Sequence, residues 1–356
     1  MVKKILKFFA LVAGVAIVAF AVSLLVSLPS DNSQKIDDSS LERFNEPVGE
    51  YSPQSRAPVK ITPEEANFAF SMSNSTKIRY YHARSGGIKE VDIMDPKSPE
   101  LIATIKPMAS YITWSPNGSE LIAQYGAEYR HINLKTGKDT KLAGNIFFPV
   151  FSKSSTDVAY LYFDDNAGEG DISVADSSFA SFKNILKTRL KSWEIYWNSG
   201  RRLSLIATSA SDNLASVFML DIENKELSQL LENQRELRVL SSPDGSKILY
   251  SRKARTGIVL SVLSVSENSR VDLKISTSSD KCAWSSDSTT IYCAVPSDKD
   301  DSFYKIPLST MEAQEILSAD EAGFADAREM FYINALPALV FKNFKDGRLY
   351  LIQLQK

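Results

Sequence analysis

Ser242-Pro243-Asp244-Gly245-Ser246-Lys247-Ile248-Leu249-Tyr250 reads as a tight turn running straight into a strand. Proline presets φ at the second turn position, and glycine suits the fourth position of a type I turn. Ile248 and Tyr250 then alternate with Leu249, the period of two of a sheet with two distinct faces. Imperfect copies of this stretch punctuate the chain from Phe70 almost to the C-terminus. It therefore predicts architecture.

Working outward, seven units can be read. Each has a short apolar strand A leading into the turn, then strand B, a variable loop, strand C, a polar turn and strand D. The first unit runs from Asn67 through Ile105, with Phe70-Ser71 where other units carry Trp-Ser. The second contains Ile112-Thr113-Trp114-Ser115-Pro116-Asn117-Gly118, the third Pro149-Val150-Phe151-Ser152, and the fourth Ile195-Tyr196-Trp197-Asn198-Ser199-Gly200. The opening stretch lies in the fifth, Cys282-Ala283-Trp284-Ser285-Ser286-Asp287 in the sixth, and Met330 to Ile333 begins the seventh.

Equivalent positions recur roughly every 37 to 49 residues, a period of four-stranded propeller blades. The expected fold is all-β: a seven-bladed β-propeller of four-stranded antiparallel blades over residues 58–356. Unrelated hairpins in a sandwich would not explain the repeated turn chemistry, while six or eight blades stay open because the third, fourth and seventh turns diverge. The seventh unit runs out of chain before a fourth strand, and Val59-Lys60-Ile61 belongs to no other unit. The N-terminal segment is therefore expected to supply that strand and close the ring, which also leaves fewer edges to aggregate. A weak helical periodicity falls near Met311 to Ala327.

Trp-Ser-Pro-Asn-Gly at 114–118, Ser-Ser-Pro-Asp-Gly at 241–245 and Trp-Ser-Ser-Asp at 284–287 resemble the TolB-type, WD-repeat-like β-propeller repeat, over roughly the last 290 residues. The resemblance implies a fold and not a function, because such repeats serve unrelated tasks. The WD-repeat proper is a poorer match, since the chain has neither a Trp-Asp nor a Gly-His dipeptide.

Lys plus Arg number 41 against 43 Asp plus Glu, a net charge of -2. No field gathers nucleic acid, which is excluded as a partner. Met1 to Leu28 departs from this even composition: Lys3, Lys4 and Lys7 precede an uncharged apolar run from Phe8 to Leu28. As a helix that run reaches roughly 31 Å, enough to cross a bilayer. Lysines before it and Asp31, Asp37 and Asp38 after it place the N-terminus in the cytoplasm and the rest outside. Residues 1–28, with membrane contact through 5–28, are expected to be a single-pass signal anchor. The competing reading is a signal peptide cleaved near Ala19-Phe20-Ala21, beyond which Val22 to Leu28 stays apolar. Residues 29–57, rich in Ser, Asp, Asn, Gln and Pro, read as a flexible linker.

Cys282 and Cys293 flank one A–B hairpin. A turn centred on Asp287 and Ser288 sets them opposite each other, close enough for a disulfide in an oxidising compartment. The two histidines, His82 and His131, lack metal-ligand spacing, and no G-x-S-x-G elbow is present. Asp164-Asp165-Asn166-Ala167-Gly168-Glu169-Gly170-Asp171 concentrates oxygen donors but misses the EF-hand pattern and reads as a solvated loop. No catalytic residue, metal or cofactor is assigned.

In a propeller the B–C and D–A loops share one face and the Ser-Pro-Asp-Gly turns the other. The first face should gather Arg84, Tyr125, Asp164, Asp165, Arg252, Lys253, Arg255, Asp298, Asp300 and Asp301, with Tyr111, Phe147, Phe148 and Trp193 nearer the axis. Such loops suit a protein, peptide or envelope glycan, or are merely solvated while the aromatics pack between blades. The expected function is a membrane-anchored, extracytoplasmic, non-catalytic binding or scaffold module. The alternative is a hydrolase or lyase of envelope glycans using carboxylates such as Asp164, Asp171 or Asp298.

Overall fold

The computed structural model describes residues 57–209 and 211–354. The expected anchor at 1–28 and linker at 29–57, apart from Ala57, lie outside the described residues. Among those described, no helix is long and apolar enough to cross a membrane.

The described residues form seven four-stranded antiparallel sheets, the blades of a propeller. Blades 1 to 6 each use four consecutive strands, with inner strands Asn67–Ser71, Tyr111–Trp114, Ile146–Phe151, Trp193–Ser199, Arg238–Ser241 and Cys282–Trp284. Blade 7 is composite: Ala327–Ile333, Ala338–Asn343 and Leu349–Gln353 continue into Val59–Lys60. Val59 pairs with Leu351 and Lys60 with Tyr350. The N-terminal segment thus closes the ring as the sequence reading expects.

The second strand of blade 5, Lys247–Ala254, shows how the blades stack. Ile248 and Tyr250 pack toward Ile206, Val217 and Met219 of blade 4. Leu249 packs the other way, toward Cys282, Trp284 and Ile291 of blade 6. Period two survives, but both faces are apolar because each blade is sandwiched between two others, as in any sheet covered on both sides. The faces differ in which blade they meet and not in polarity.

Serine, aspartate and glycine each have a task in the turn. The Ser242 hydroxyl donates to Asp244 Oδ1 (2.6 Å), and Asp244 accepts from the Ser246 amide (3.0 Å) and hydroxyl (2.7 Å). Ser115, Asn117 and Ser119 repeat the pattern in blade 2, and Ser285, Asp287 and Thr289 in blade 6. Gly245 has φ +71, and a Cβ there would sit 2.8 Å from Ser199 Cβ of blade 4, so backbone conformation and close approach both demand glycine.

Cys282 pairs with Cys293 in register and the two form a disulfide with a Cα–Cα distance of 4.1 Å. The weak periodicity near 311–327 yields only the one-turn helix Ala319–Ala322, opened by a capping box of Ser318 and Glu321. Gln314–Leu317 just before it is instead the fourth strand of blade 6.

Candidate functional site

Alternating strand direction puts the B–C loops and D–A connections on one face, and that face carries a cavity of about 570 Å³ over blades 4 to 7. Glu194 comes from the inner strand of blade 4, and Glu236 and Arg238 from the entry to blade 5. Arg252 and Lys253 close the second strand of blade 5, Asp280 lies in the 3₁₀ turn before blade 6, and Arg328 opens the inner strand of blade 7. Four cationic side chains therefore meet three carboxylates.

Their pairing is incomplete. Lys253 reaches Glu236 only at 4.0 Å, and Arg252 reaches Asp272 at 3.5 Å. Arg328 Nη1 lies 3.6 Å from Asp280, while Arg328 Nε is buried without a hydrogen-bond partner, 3.6 Å from Asp326. Arg238 Nη1 donates to the Leu237 carbonyl (3.1 Å), and no carboxylate of the described residues lies within 4.0 Å of its guanidinium.

Deeper toward the axis, alternation along Trp193-Glu194-Ile195-Tyr196-Trp197 buries the first, third and fifth side chains and turns Glu194 and Tyr196 to the channel. The Tyr196 hydroxyl donates to Glu194 Oε2 (3.1 Å). Burial and the Glu194 charge push the Tyr196 hydroxyl well above the usual tyrosine range, with Arg238 opposing. Burial likewise raises Tyr111 of blade 2, with Tyr129 and Glu194 adding to it and a hydrogen bond with Thr113 opposing. Both rings are 41% exposed, yet protein surrounds them, which is the condition of a side chain in a narrow channel. Both hydroxyls stay protonated, that of Tyr196 committed to Glu194 and that of Tyr111 available as a donor.

Three inner strands are bulged near this face. The inner strands of blades 1, 3 and 7 each carry one extra residue against their neighbour, between Asn67 and Phe70, Phe147 and Val150, and Arg328 and Phe331. At each bulge a non-glycine residue takes positive φ: Phe68 (52), Phe148 (50) and Glu329 (50). Such residues cost about 1–2 kcal/mol each, and bulges of this kind re-aim side chains beside functional sites. Phe68 is thereby set edge-on to Tyr111, at 6.2 Å.

Of the residues singled out from sequence, Arg252 and Lys253 line the cavity and Tyr111 faces the channel. Asp165 and Phe147 meet through Lys191, whose Nζ lies 2.6 Å from Asp165 and 4.8 Å over the Phe147 ring. Phe148 is partly exposed beside them in the chain, and Asp164 caps its own turn by accepting the Asn166 amide (2.9 Å). Tyr125 donates to the Lys106 carbonyl (2.8 Å), Arg84 pairs with Glu65 (3.3 Å), and Arg255 and Asp298 are exposed on their loops. Asp300 is held by Lys345.

Two others are not presented to the face. Trp193 is 4% exposed, donating from Nε1 to Thr188 Oγ1 (2.8 Å). Asp301 is 2% exposed and takes both 2.9 Å bonds from Lys281, which also donates to Asp326 (2.8 Å). Burial pushes the Asp301 carboxyl upward, against the pull of Lys281 and the Ala327 amide. Loop position does not point to Glu194, Tyr196, Glu236, Arg238, Asp280 or Arg328. The polar–apolar alternation in 193–197 is the signal that marks Glu194 and Tyr196.

The fold and the site define a seven-bladed propeller with a charged cavity at its channel mouth. No family model matches the chain, and no curated protein matches it. Solved structures do. An oligogalacturonate lyase in complex with manganese is similar at a TM-score of 0.62 and 11% identity, over 85% of this chain and 95% of that one. The oligogalacturonate lyase of Vibrio parahaemolyticus follows at 0.60 and 9%, over 84% and 94%. The β-propeller domain of the trilobed protease from Pyrococcus furiosus, which has an open velcro topology, gives 0.56 and 11%, over 82% and 97%. At such identities the likeness shows a shared β-propeller fold.

The manganese of the first of these has no matching donor set here. Among the described residues no three His, Cys, Asp or Glu converge to hold a metal ion. His82 contacts Ser85 and His131 contacts Glu120, both away from the cavity.

Proposed function

We propose that this protein is an extracytoplasmic propeller, tethered to a membrane through residues 1–28, that binds acidic groups of an envelope polymer or partner protein at its channel mouth. The observation that carries the reading is the guanidinium of Arg238, exposed to the cavity with no carboxylate of the described residues within 4.0 Å, and Arg328 lines the same cavity. A carboxylate brought by a ligand would give Arg238 a charge-assisted, two-pronged partner. Tyr111 adds a neutral donor, and Tyr111 and Tyr196 add flat apolar surface. The TolB-type character of the turns supports the fold in this reading and is silent on the ligand.

Calorimetric titration of the detergent-solubilised full chain with oligogalacturonate and with poly-glutamate tests it. Binding should weaken as salt rises. Arg238→Ala should lower affinity about tenfold, ~1.4 kcal/mol. Equal affinity in the variant would remove the cavity from the account.

One observation favours a catalytic reading. Glu194, hydrogen-bonded to Tyr196 near Arg238, supplies the base and the cation that proton abstraction next to a carboxylate requires, on a fold shared with oligogalacturonate lyases. Unsaturated product from oligogalacturonate, lost in Glu194→Gln, would replace binding with turnover.

A further inference from the structure

A second cavity, on the flank of the ring, is larger than the one at the channel mouth. It lies where the fourth strand of blade 2, Asp139–Lys141, has three residues and that of blade 3, Phe182–Thr188, has seven, so the blade 2 strand covers only part of the facing side of blade 3. A cleft of about 790 Å³ remains between the two blades, within the roughly 300–1,000 Å³ of small-molecule sites.

The two walls differ in chemistry. Blade 3 presents aromatic rings, among them Tyr162, Phe179 and Phe182. Phe182 is 63% exposed and Tyr162 is 40% exposed, unusual for such large apolar groups. Blade 2 presents a polar wall, in which Glu120 accepts from Asn133 Nδ2 (2.9 Å) and lies 3.2 Å from His131 Nε2. Each Glu120 oxygen keeps an unused lone pair, and His131 Nδ1 has no hydrogen-bond partner among the described residues.

We propose that this cleft binds a pyranose ring. A pyranose has an apolar C–H face that lies flat on an aromatic ring and a rim of hydroxyls that both donate and accept. An alkyl chain would desolvate Glu120 and His131 without replacing their hydrogen bonds. A small ion would leave the aromatic wall unused. A cyclic polyol satisfies both walls at once. The site is separate from the channel mouth and makes no demand on Arg238.

Saturation-transfer NMR on the full chain tests the assignment, with the methyl glycosides of glucose, galactose, mannose and N-acetylglucosamine as probes and decanoate as a separate arm. At least one glycoside should receive transfer at its ring C–H protons. Phe182→Ala and Tyr162→Ala, both at exposed positions that folding tolerates, should each weaken that binding about tenfold, while Arg238→Ala leaves it unchanged. The proposal is overturned if no glycoside binds at millimolar concentration, if binding persists unchanged in Phe182→Ala, or if decanoate alone is bound.

Discussion

Replacing Ile61 by alanine strikes the joint between the two ends of the chain. Ile61 follows the closing strand Val59–Lys60, donates its amide to the Leu349 carbonyl (2.9 Å) and is 1% exposed. Its side chain packs among Ile78 and Tyr80 of blade 1 and Leu349 and Leu351 of blade 7. Thr62 extends the joint by accepting the Leu349 amide on its hydroxyl (3.0 Å). Truncation to alanine removes three carbon groups, at about 0.8 kcal/mol each. A residual cavity between two blades adds about 1 kcal/mol, because neither blade can collapse into it without disturbing the other. The expected loss is about 3 kcal/mol, and Ile61→Val should lose about 1 kcal/mol. Urea unfolding followed by tryptophan fluorescence measures both, and the melting temperature should fall roughly 5–10 °C for the alanine variant. Native-state hydrogen exchange adds a local readout: the amide of Leu349 should lose protection before that of Leu249 in blade 5. A loss below about 1 kcal/mol, or unchanged protection at Leu349, would refute closure through this segment.

Gly245→Ala should cost about 2–3 kcal/mol, combining positive φ with a Cβ driven into Ser199. Gly137→Ala, at φ +70 but in open space, should cost about 1 kcal/mol, and equal losses in chemical denaturation would show that close approach is not what demands glycine at 245. Burial alone would raise the Asp244 carboxyl, but hydrogen bonds from Ser242, Ser246 and Ser288 outweigh it and hold the group at about 2, below its ordinary 3.8. A depressed carboxyl stabilises the fold above the unfolded value and loses that contribution as pH falls through the folded one. Discounted for its exposure, about 1 kcal/mol separating wild type from Asp244→Asn at pH ~5 should vanish near pH ~2, and a gap constant with pH would overturn the assignment. Replacing Cys282 and Cys293 together by alanine should cost about 2–3 kcal/mol, read as a shift in urea midpoint that reducing agent reproduces in wild type and not in the variant.

Blade architecture, ring closure and the Cys282–Cys293 pairing were legible because each rests on local chemistry repeated along the chain. Ser-Pro-Asp-Gly dictates a turn wherever it stands, and a turn centre fixes which residues oppose each other in the hairpin. The leftover Val59-Lys60-Ile61 then had one vacancy to fill. The same reasoning misjudged Trp193 and Asp301 as residues of the loop face, because loop position does not report depth. Trp193 lies at the start of a strand whose odd positions turn inward, and Asp301 is drawn under the surface by Lys281.

The sequence by itself determined an all-β propeller of repeated four-stranded blades, through turn chemistry and a strand period that need no information about distant residues, while the count of seven, expected from the repeats with six or eight still open, was decided by the tertiary structure. Only the tertiary structure decided where chemistry gathers. Glu194, Arg238, Asp280 and Arg328 come from four different blades and share one cavity solely because the ring brings their strand ends around a common axis. The inner-strand bulges at Phe68, Phe148 and Glu329 are set by packing against neighbouring strands, since none of these residues favours positive φ on its own. The flank cleft lies between side chains of blades 2 and 3, a juxtaposition that neither stretch of sequence contains.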